Sequence, residues 1–148
     1  MKFSDFHSGM RIEHPPVVIS EEEIIEFAKQ YDPQWFHIDR ERAQNSRWGG
    51  LICSGWQTCS LAMRMAVHAA LEGSESFGSP GVDKIRWMQP VRPGDAVRLE
   101  MHVDSVRRSE SRSDLGIMRW TWKMFNQDEE QVLELEATSL FDLSASGA

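Results

Sequence analysis

The sequence predicts an α+β domain in which one long buried helix lies against a curved antiparallel sheet of five or six strands. Residues 51–71 are almost continuously apolar, and a helix with apolar side chains on most of its faces needs other structure around it. Residues 97–103 and 118–124 alternate apolar with polar side chains, which is typical of strands with one solvated face. Connections such as residues 126–130 are too short for helical crossovers, so antiparallel pairing is favoured.

The first helix is predicted to begin after Ser20, because Ser20 and Glu23 have the spacing of a capping box. Apolar residues then recur at helical spacing through Ile24, Phe27, Ala28 and Tyr31. The helix is expected to end near Asp32, because Pro33 cannot donate a backbone hydrogen bond and disfavours helical geometry in the residue before it. Asp32 therefore stands at a forced break in the chain.

Shorter signals predict the remaining elements. In chain order these are a strand at 17–19, a helix capped by Asp39 through about 46, a turn at 48–50, a strand with Ile85 and Trp87, a turn at 90–95, and a strand at 133–137. Residues 74–81 are expected to form a mobile loop, and residues 144–148 a frayed tail. The chain is interpreted as one domain over residues 1–148, with a core from about 15 to 142 and frayed termini.

Composition excludes several classes of partner. The formal net charge of −7 and the pI near 5.2 argue against general binding to nucleic acids or membrane surfaces, since both of those partners are anionic. No run approaches the roughly 20 apolar residues of a membrane span, and the polar start has no signal-peptide pattern, so the expected location is the cytoplasm. Cys53 and Cys59 lie in the most apolar segment and are expected to be reduced.

An aspartate and a histidine, Asp32 and His37, flank the predicted break among aromatic residues. One interpretation is structural, because an aspartate at a chain reversal accepts backbone amide hydrogens. The other is that the pair transfers protons, because the unperturbed pKa of histidine is near 6.5 and a low-dielectric surrounding raises that of a carboxylate towards it. Tyr31, Trp35 and Phe36 are candidates for that surrounding.

The segment from Asp32 to Asp39, followed by Ala43 and by residues 49–56, resembles the MaoC-like dehydratases, which include the (R)-specific enoyl-CoA hydratases. The family pattern is aspartate, any residue, asparagine, proline, an aliphatic residue and histidine, then an alanine, and later a glycine that opens the central helix. The turn at 90–95 is also similar, so the resemblance extends from about Glu21 to Leu140.

The resemblance implies the hotdog fold, in which a sheet wraps one helix, assembled as a homodimer or a dimer of dimers. It implies that Asp32 and His37 hold a water and move its protons during reversible hydration of a 2-enoyl-CoA thioester. His37 is expected to act as the base, while Asp32 positions the water and protonates the substrate. The Gly55 amide is expected to stabilise the enolate oxygen. No metal or redox cofactor is expected.

Three positions depart from the family pattern. Gln34 replaces asparagine, Trp35 replaces proline, and Ser54 stands where many relatives place a histidine. Gln34 keeps the amide on a longer arm, whereas Trp35 and Trp56 add bulk that shortens the acyl tunnel. The expected substrate-binding residues are Gln34, Trp35, Ser54, Trp56 and Ser60.

Two other functions stay open at this point. A thioesterase on the same fold would direct water at the carbonyl carbon instead of the β-carbon. A non-catalytic hotdog module would bind an acyl ligand or pair with a catalytic partner, and the departures at Gln34 and Trp35 keep this alternative open.

Overall fold

Five antiparallel strands form one sheet in the order β1-β3-β4-β5-β2, within the predicted range of five or six. The structure is a computed structural model that describes residues 1–144. The strands are β1 (Arg11–Val18), β2 (Ser76–Arg86), β3 (Ala96–Arg108), β4 (Leu115–Phe125) and β5 (Gln131–Asp142). The helices are α1 (Glu21–Tyr31), α2 (Trp35–Ile38), α3 (Arg40–Gln44) and α4 (Gly55–Ala66), with a π-helical turn at Val67–Leu71.

The alternating patterns predicted the three inner strands correctly. Their apolar side chains face α4 and form the core, including the fully buried Leu99, Met101, Met118, Trp120, Met124 and Leu133. β4 pairs with both β3 and β5 along almost its whole length. Burial of one sheet face against one helix is what an α+β domain needs to stabilise both elements.

The central helix begins later than the apolar run that predicted it. Residues 51–54 precede α4 in a non-helical conformation, and all four are buried. Backbone hydrogen bonds hold this segment: the Ile52 N–H donates to the Phe36 carbonyl at 3.2 Å, and the Cys53 N–H donates to the Val91 carbonyl at 2.7 Å. The buried segment therefore connects the α2 region with the residues that follow β2. Cys53 and Cys59 are both free.

The expectation of a loop at 74–81 is wrong, because β2 begins at Ser76. The glycines and Pro80 in this stretch indicated a loop, but β2 is an edge strand that pairs only with β5. Edge strands tolerate proline and glycine because one side of the strand needs no ladder hydrogen bonds. The register shifts three times along this pairing.

The other edge strand, β1, is longer than the predicted strand at 17–19. It begins at Arg11 and includes Pro15 and Pro16, where the register with β3 shifts between His14 and Val17. Proline is tolerated at such an irregularity for the same reason as in β2.

The expectation of a frayed N-terminus is also wrong. Phe3 and Phe6 are buried, and their rings lie 5.1 and 5.7 Å from that of Phe141 in β5. The N-terminal residues therefore contribute to the core. The predicted frayed tail falls largely on residues 145–148, outside the described residues. None of the helices in residues 1–144 has the length and apolar character of a membrane-spanning segment.

Candidate active site

Asp32 lies at the C-terminal end of α1, at the predicted break. The Ser20 hydroxyl caps the start of this helix by accepting the Glu23 N–H at 3.1 Å, as expected. At the other end, the Asp32 N–H still donates to the Ala28 carbonyl at 2.8 Å, but the Asp32 backbone has left helical geometry with φ −152° and ψ 69°. Pro33 enforces that departure.

The Asp32 carboxylate accepts hydrogen bonds from side chains on both of its oxygens. The Gln34 amide donates to Oδ1 at 2.7 Å, and the Ser54 hydroxyl donates to Oδ2 at 2.7 Å. Partial burial of the carboxyl raises its pKa, but the bonds from Gln34 and Ser54 and the adjacent His37 ring outweigh burial. Together they hold the pKa of Asp32 below its usual range. Asp32 is therefore ionised at neutral pH.

His37 lies on α2, a single helical turn, with its ring between two acceptors. Nδ1 is 2.7 Å from the Ile52 carbonyl oxygen, and Nε2 is 3.1 Å from Asp32 Oδ2. A carbonyl oxygen only accepts, so Nδ1 carries a hydrogen. Nε2 is therefore the ring nitrogen that faces the carboxylate, and it lies within hydrogen-bonding distance of Oδ2. A proton can pass between these two atoms, on a histidine that is only 4% exposed.

Gly55 is the first residue of α4, and its amide is at the positive end of the helix dipole. The Ser54 hydroxyl, which donates to Asp32, also accepts the Trp56 N–H at 3.3 Å and so caps the helix. The Gly55 N–H donates to no acceptor among the described residues. One serine therefore connects the carboxylate to the start of the helix, where an amide is left free.

A cavity of about 380 Å³ brings these groups together. Its polar lining includes Asp32, His37 and Gly55, and its aromatic lining consists of Phe36, Trp48, Trp56 and Trp87. Ligand cavities of this size, mostly apolar with a few convergent polar groups, are the usual form of small-molecule sites.

The MaoC-like domain profile matches residues 5–118, most of the chain. The chain belongs to this family. It is 32% identical to the MaoC-like dehydratase from Rhodospirillum rubrum, whose crystal structure superposes with a TM-score of 0.86 over 94% of both chains. It is 29% identical to the uncharacterized protein YdeM of Bacillus subtilis over 140 residues, which cover 95% of this chain and 98% of YdeM.

A third relative is the 3-hydroxyacyl-thioester dehydratase Z of Mycobacterium tuberculosis. The identity is 34% over 84 residues, which span 55% of this chain and 56% of that protein. The family match, the likeness to the Rhodospirillum structure and the sheet wrapped on α4 together confirm the predicted hotdog fold.

The structure of this MaoC-like domain brings four of the expected site residues, Asp32, His37, Gly55 and Trp56, to one cavity. Gln34 and Ser54 contact the Asp32 carboxylate instead of lining the cavity. Their side chains position the carboxylate, because Ser54 is completely buried and the Gln34 amide is committed to Oδ1.

Two expected substrate-binding residues lie elsewhere. Trp35 packs under the Arg42 guanidinium, whose carbon is 4.3 Å from the ring centre, on a different part of the surface. The Ser60 hydroxyl donates to the Trp56 carbonyl at 2.8 Å and faces α1, because helical rotation places it away from the Gly55 end of the cavity. Tyr31 is 70% exposed and does not line the cavity.

Sequence reasoning missed Trp87, which belongs to the site although 32 residues separate it from Gly55. Its indole N–H donates to the Gly55 carbonyl at 3.0 Å, and its ring makes an edge contact with Trp56. The alternating pattern assigned Trp87 to a strand, but β2 ends at Arg86. No local sequence pattern indicates a contact between residues so far apart in the chain. Within residues 1–144, no three His, Cys, Asp or Glu side chains are arranged to hold a metal ion.

Proposed function

We propose that this chain catalyses the reversible addition of water to the double bond of a 2-enoyl thioester. The observation that carries the proposal is the pair of Asp32 and His37, with Oδ2 and Nε2 3.1 Å apart, in the same cavity as the free Gly55 amide. Membership of the MaoC-like family supports it. One relative is a 3-hydroxyacyl-thioester dehydratase, and dehydration is the reverse direction of the same chemistry.

The hydrogen bonds favour the opposite assignment of base and acid from the one expected from the sequence. The low pKa of Asp32 favours an ionised carboxylate, and the Nδ1–H bond of His37 to the Ile52 carbonyl leaves Nε2 facing that carboxylate. In this proposal the carboxylate takes a proton from water as the water oxygen bonds to the β-carbon. The imidazolium gives its Nε2 proton to the α-carbon.

The pair returns to its starting state without any further reactant. After addition, Asp32 carries the proton taken from water and His37 is neutral at Nε2. That proton moves across the 3.1 Å separation to Nε2. The net reaction places hydroxyl on the β-carbon and hydrogen on the α-carbon, so the atoms of one water molecule are all accounted for.

The Gly55 amide has a separate role in the proposal. Negative charge develops on the thioester oxygen as the β-carbon is attacked, and a free N–H at a helix N-terminus stabilises such charge. Removing one oxyanion donor of this kind typically raises the barrier by about 3 kcal/mol. The mechanism as proposed uses protein groups alone, with a coenzyme A thioester as substrate.

We further infer that two copies associate along β2. Its outer edge pairs with no strand among residues 1–144, and Phe77 and Val82 on it are 60% and 48% exposed. On α4, Trp56 and Met63 are exposed beside it. An unpaired, partly apolar edge is stabilised when a second copy extends the sheet. A mass of twice 17.0 kDa in light scattering is the expected result, and a monomer at working concentration would contradict it.

Crotonyl-CoA tests the activity directly. Loss of the absorbance of the conjugated double bond, with no release of free thiol, is expected for the wild type. His37→Ala and Asp32→Ala are each expected to lower the rate by about 10³-fold, since general acid–base groups contribute 10² to 10⁴. His7→Ala, at an exposed histidine outside the cavity, is the matched control.

The two alternatives give different results in the same assay. Release of thiol at the rate of substrate loss would indicate a thioesterase. Absence of any turnover, with tight binding of crotonyl-CoA, would indicate a non-catalytic module.

A further inference from the structure

A second cavity of about 450 Å³ lies between α4 and the β2–β5 edge of the sheet. Its lining is largely apolar and includes Met63, Leu71, Val82, Ile85, Leu135 and Ala137. It contains none of the groups placed in the proposed reaction. A cavity with this lining binds hydrocarbon in preference to polar groups, because apolar surface is removed from water.

Trp56 is the residue that lines both cavities. Its ring lies against that of Trp87, with ring centres 5.6 Å apart and planes at 76°. Trp87 is itself held by its hydrogen bond to the Gly55 carbonyl at 3.0 Å and by contact with the Gly55 backbone. The Trp56 indole therefore forms the wall between the catalytic cavity and the apolar cavity, and Trp87 supports it from the catalytic side.

We infer that Trp56 sets the length of the acyl chain that the enzyme accepts. The indole closes the catalytic cavity at the Gly55 end and confines the acyl group to a short chain. Removing the indole joins the two cavities, and the distal carbons of a long acyl chain then occupy the apolar one. This inference rests on the proposed hydration of a 2-enoyl thioester. It adds that the substrates are thioesters with short acyl chains.

The expected effect follows from the burial of methylene groups. Each methylene moved from water into an apolar cavity is worth about a fourfold gain in affinity. Several methylenes of a ten-carbon chain extend beyond a site that holds four carbons, so opening the wall is expected to favour the long chain by at least about tenfold.

The test compares kcat/KM for trans-2-decenoyl-CoA with that for crotonyl-CoA, expressed as a ratio for each variant. In Trp56→Ala and Trp56→Leu the ratio is expected to rise by about tenfold or more over the wild type. Met63→Ala enlarges the apolar cavity but leaves the wall in place, so its ratio is expected to stay within about threefold of wild type. Ala137→Leu added to Trp56→Ala fills the apolar cavity and is expected to reverse the gain.

Binding of saturated thioesters separates this inference from the proposed function. Calorimetry with butyryl-CoA and decanoyl-CoA is expected to show a selective gain for decanoyl-CoA in Trp56→Ala. If decanoyl-CoA gains affinity in this way but no enoyl thioester is hydrated, the proposed reaction is refuted and the inference about Trp56 still holds. Hydration of crotonyl-CoA with an unchanged chain-length ratio in both Trp56 variants would overturn the inference. A wild type that already prefers decenoyl-CoA would overturn it as well.

Discussion

The indole of Trp87 occupies the space that a side chain at Gly55 would need. A Cβ built on Gly55 would lie 2.5 Å from Cε2 of that indole, well inside contact distance. The resemblance gave this glycine a role through its amide, which is expected to stabilise the enolate oxygen. The structure adds a reason internal to the chain, because the Trp87 ring, which lines the cavity, packs directly on the first residue of α4.

Gly55→Ala is expected to destabilise the fold by about 1–3 kcal/mol, the usual cost of overpacking a filled site. The urea midpoint of unfolding measures the change. In a Trp87→Ala background the new methyl group has room, so the same substitution is expected to cost less. An equal cost in both backgrounds would show that Trp87 is not the group that excludes a side chain at Gly55.

Ser54→Ala is expected to raise the pKa of Asp32, because the Ser54 hydroxyl is one of the donors that lower it. The acidic limb of the pH–rate profile for crotonyl-CoA hydration should then move to higher pH. Helix capping is lost as well, at about 1 kcal/mol. Ser20→Ala removes a comparable cap from α1 without touching Asp32, so it should lower stability and leave the pH profile in place.

The stability of the fold is expected to depend on pH through Asp32. Its pKa is lower in the folded state than in the unfolded chain, where it is near 3.9. The ionised carboxylate therefore stabilises the fold above about pH 4, and this contribution is lost as the pH falls through the folded-state value. The difference in unfolding free energy between wild type and Asp32→Asn should be larger at pH 7 than at pH 3.

Glu22→Gln is the matched control for that measurement, since Glu22 is exposed and accepts no side-chain hydrogen bond within residues 1–144. A difference for Asp32→Asn that is constant with pH would contradict the lowered pKa.

Ser139→Ala is expected to destabilise the core by about 1–3 kcal/mol, because it leaves a buried donor without its acceptor. The Trp120 indole N–H donates to the Ser139 hydroxyl at 3.1 Å, and Trp120 is fully buried. In a Trp120→Phe background the donor is gone, so Ser139→Ala should cost less. Chemical denaturation of the four proteins in this cycle gives the coupling energy.

Local signals predicted the parts of the fold that local interactions determine. The Ser20 cap, the end of α1 before Pro33 and the Asp39 cap, which accepts the Arg42 N–H at 3.0 Å, all lie within a few residues of their partners. The inner strands were predictable for a related reason, since one buried face imposes alternation on their sequences.

Contacts between distant segments were the part that patterns did not predict. Ser54 contacts Asp32 across 22 residues of sequence, and Trp87 contacts Gly55 across 32. Neither contact produces a periodic pattern in the sequence. The first part of β2 was missed because its glycines and proline match a loop, whereas its position at the sheet edge permits them. Phe3 and Phe6 were missed because no helical or strand period surrounds them.

The partner of His37 Nδ1 is a main-chain carbonyl, that of Ile52. A substitution at position 52 changes the side chain and leaves the carbonyl in place, so the acceptor of this contact cannot be removed as the donors of Gln34 and Ser54 can. The acceptor that orients the imidazole therefore does not depend on which side chain occupies position 52. The two donors to the carboxylate, in contrast, can be replaced during evolution. Adjustment of the acid–base pair in related sequences should therefore accumulate at positions 34 and 54.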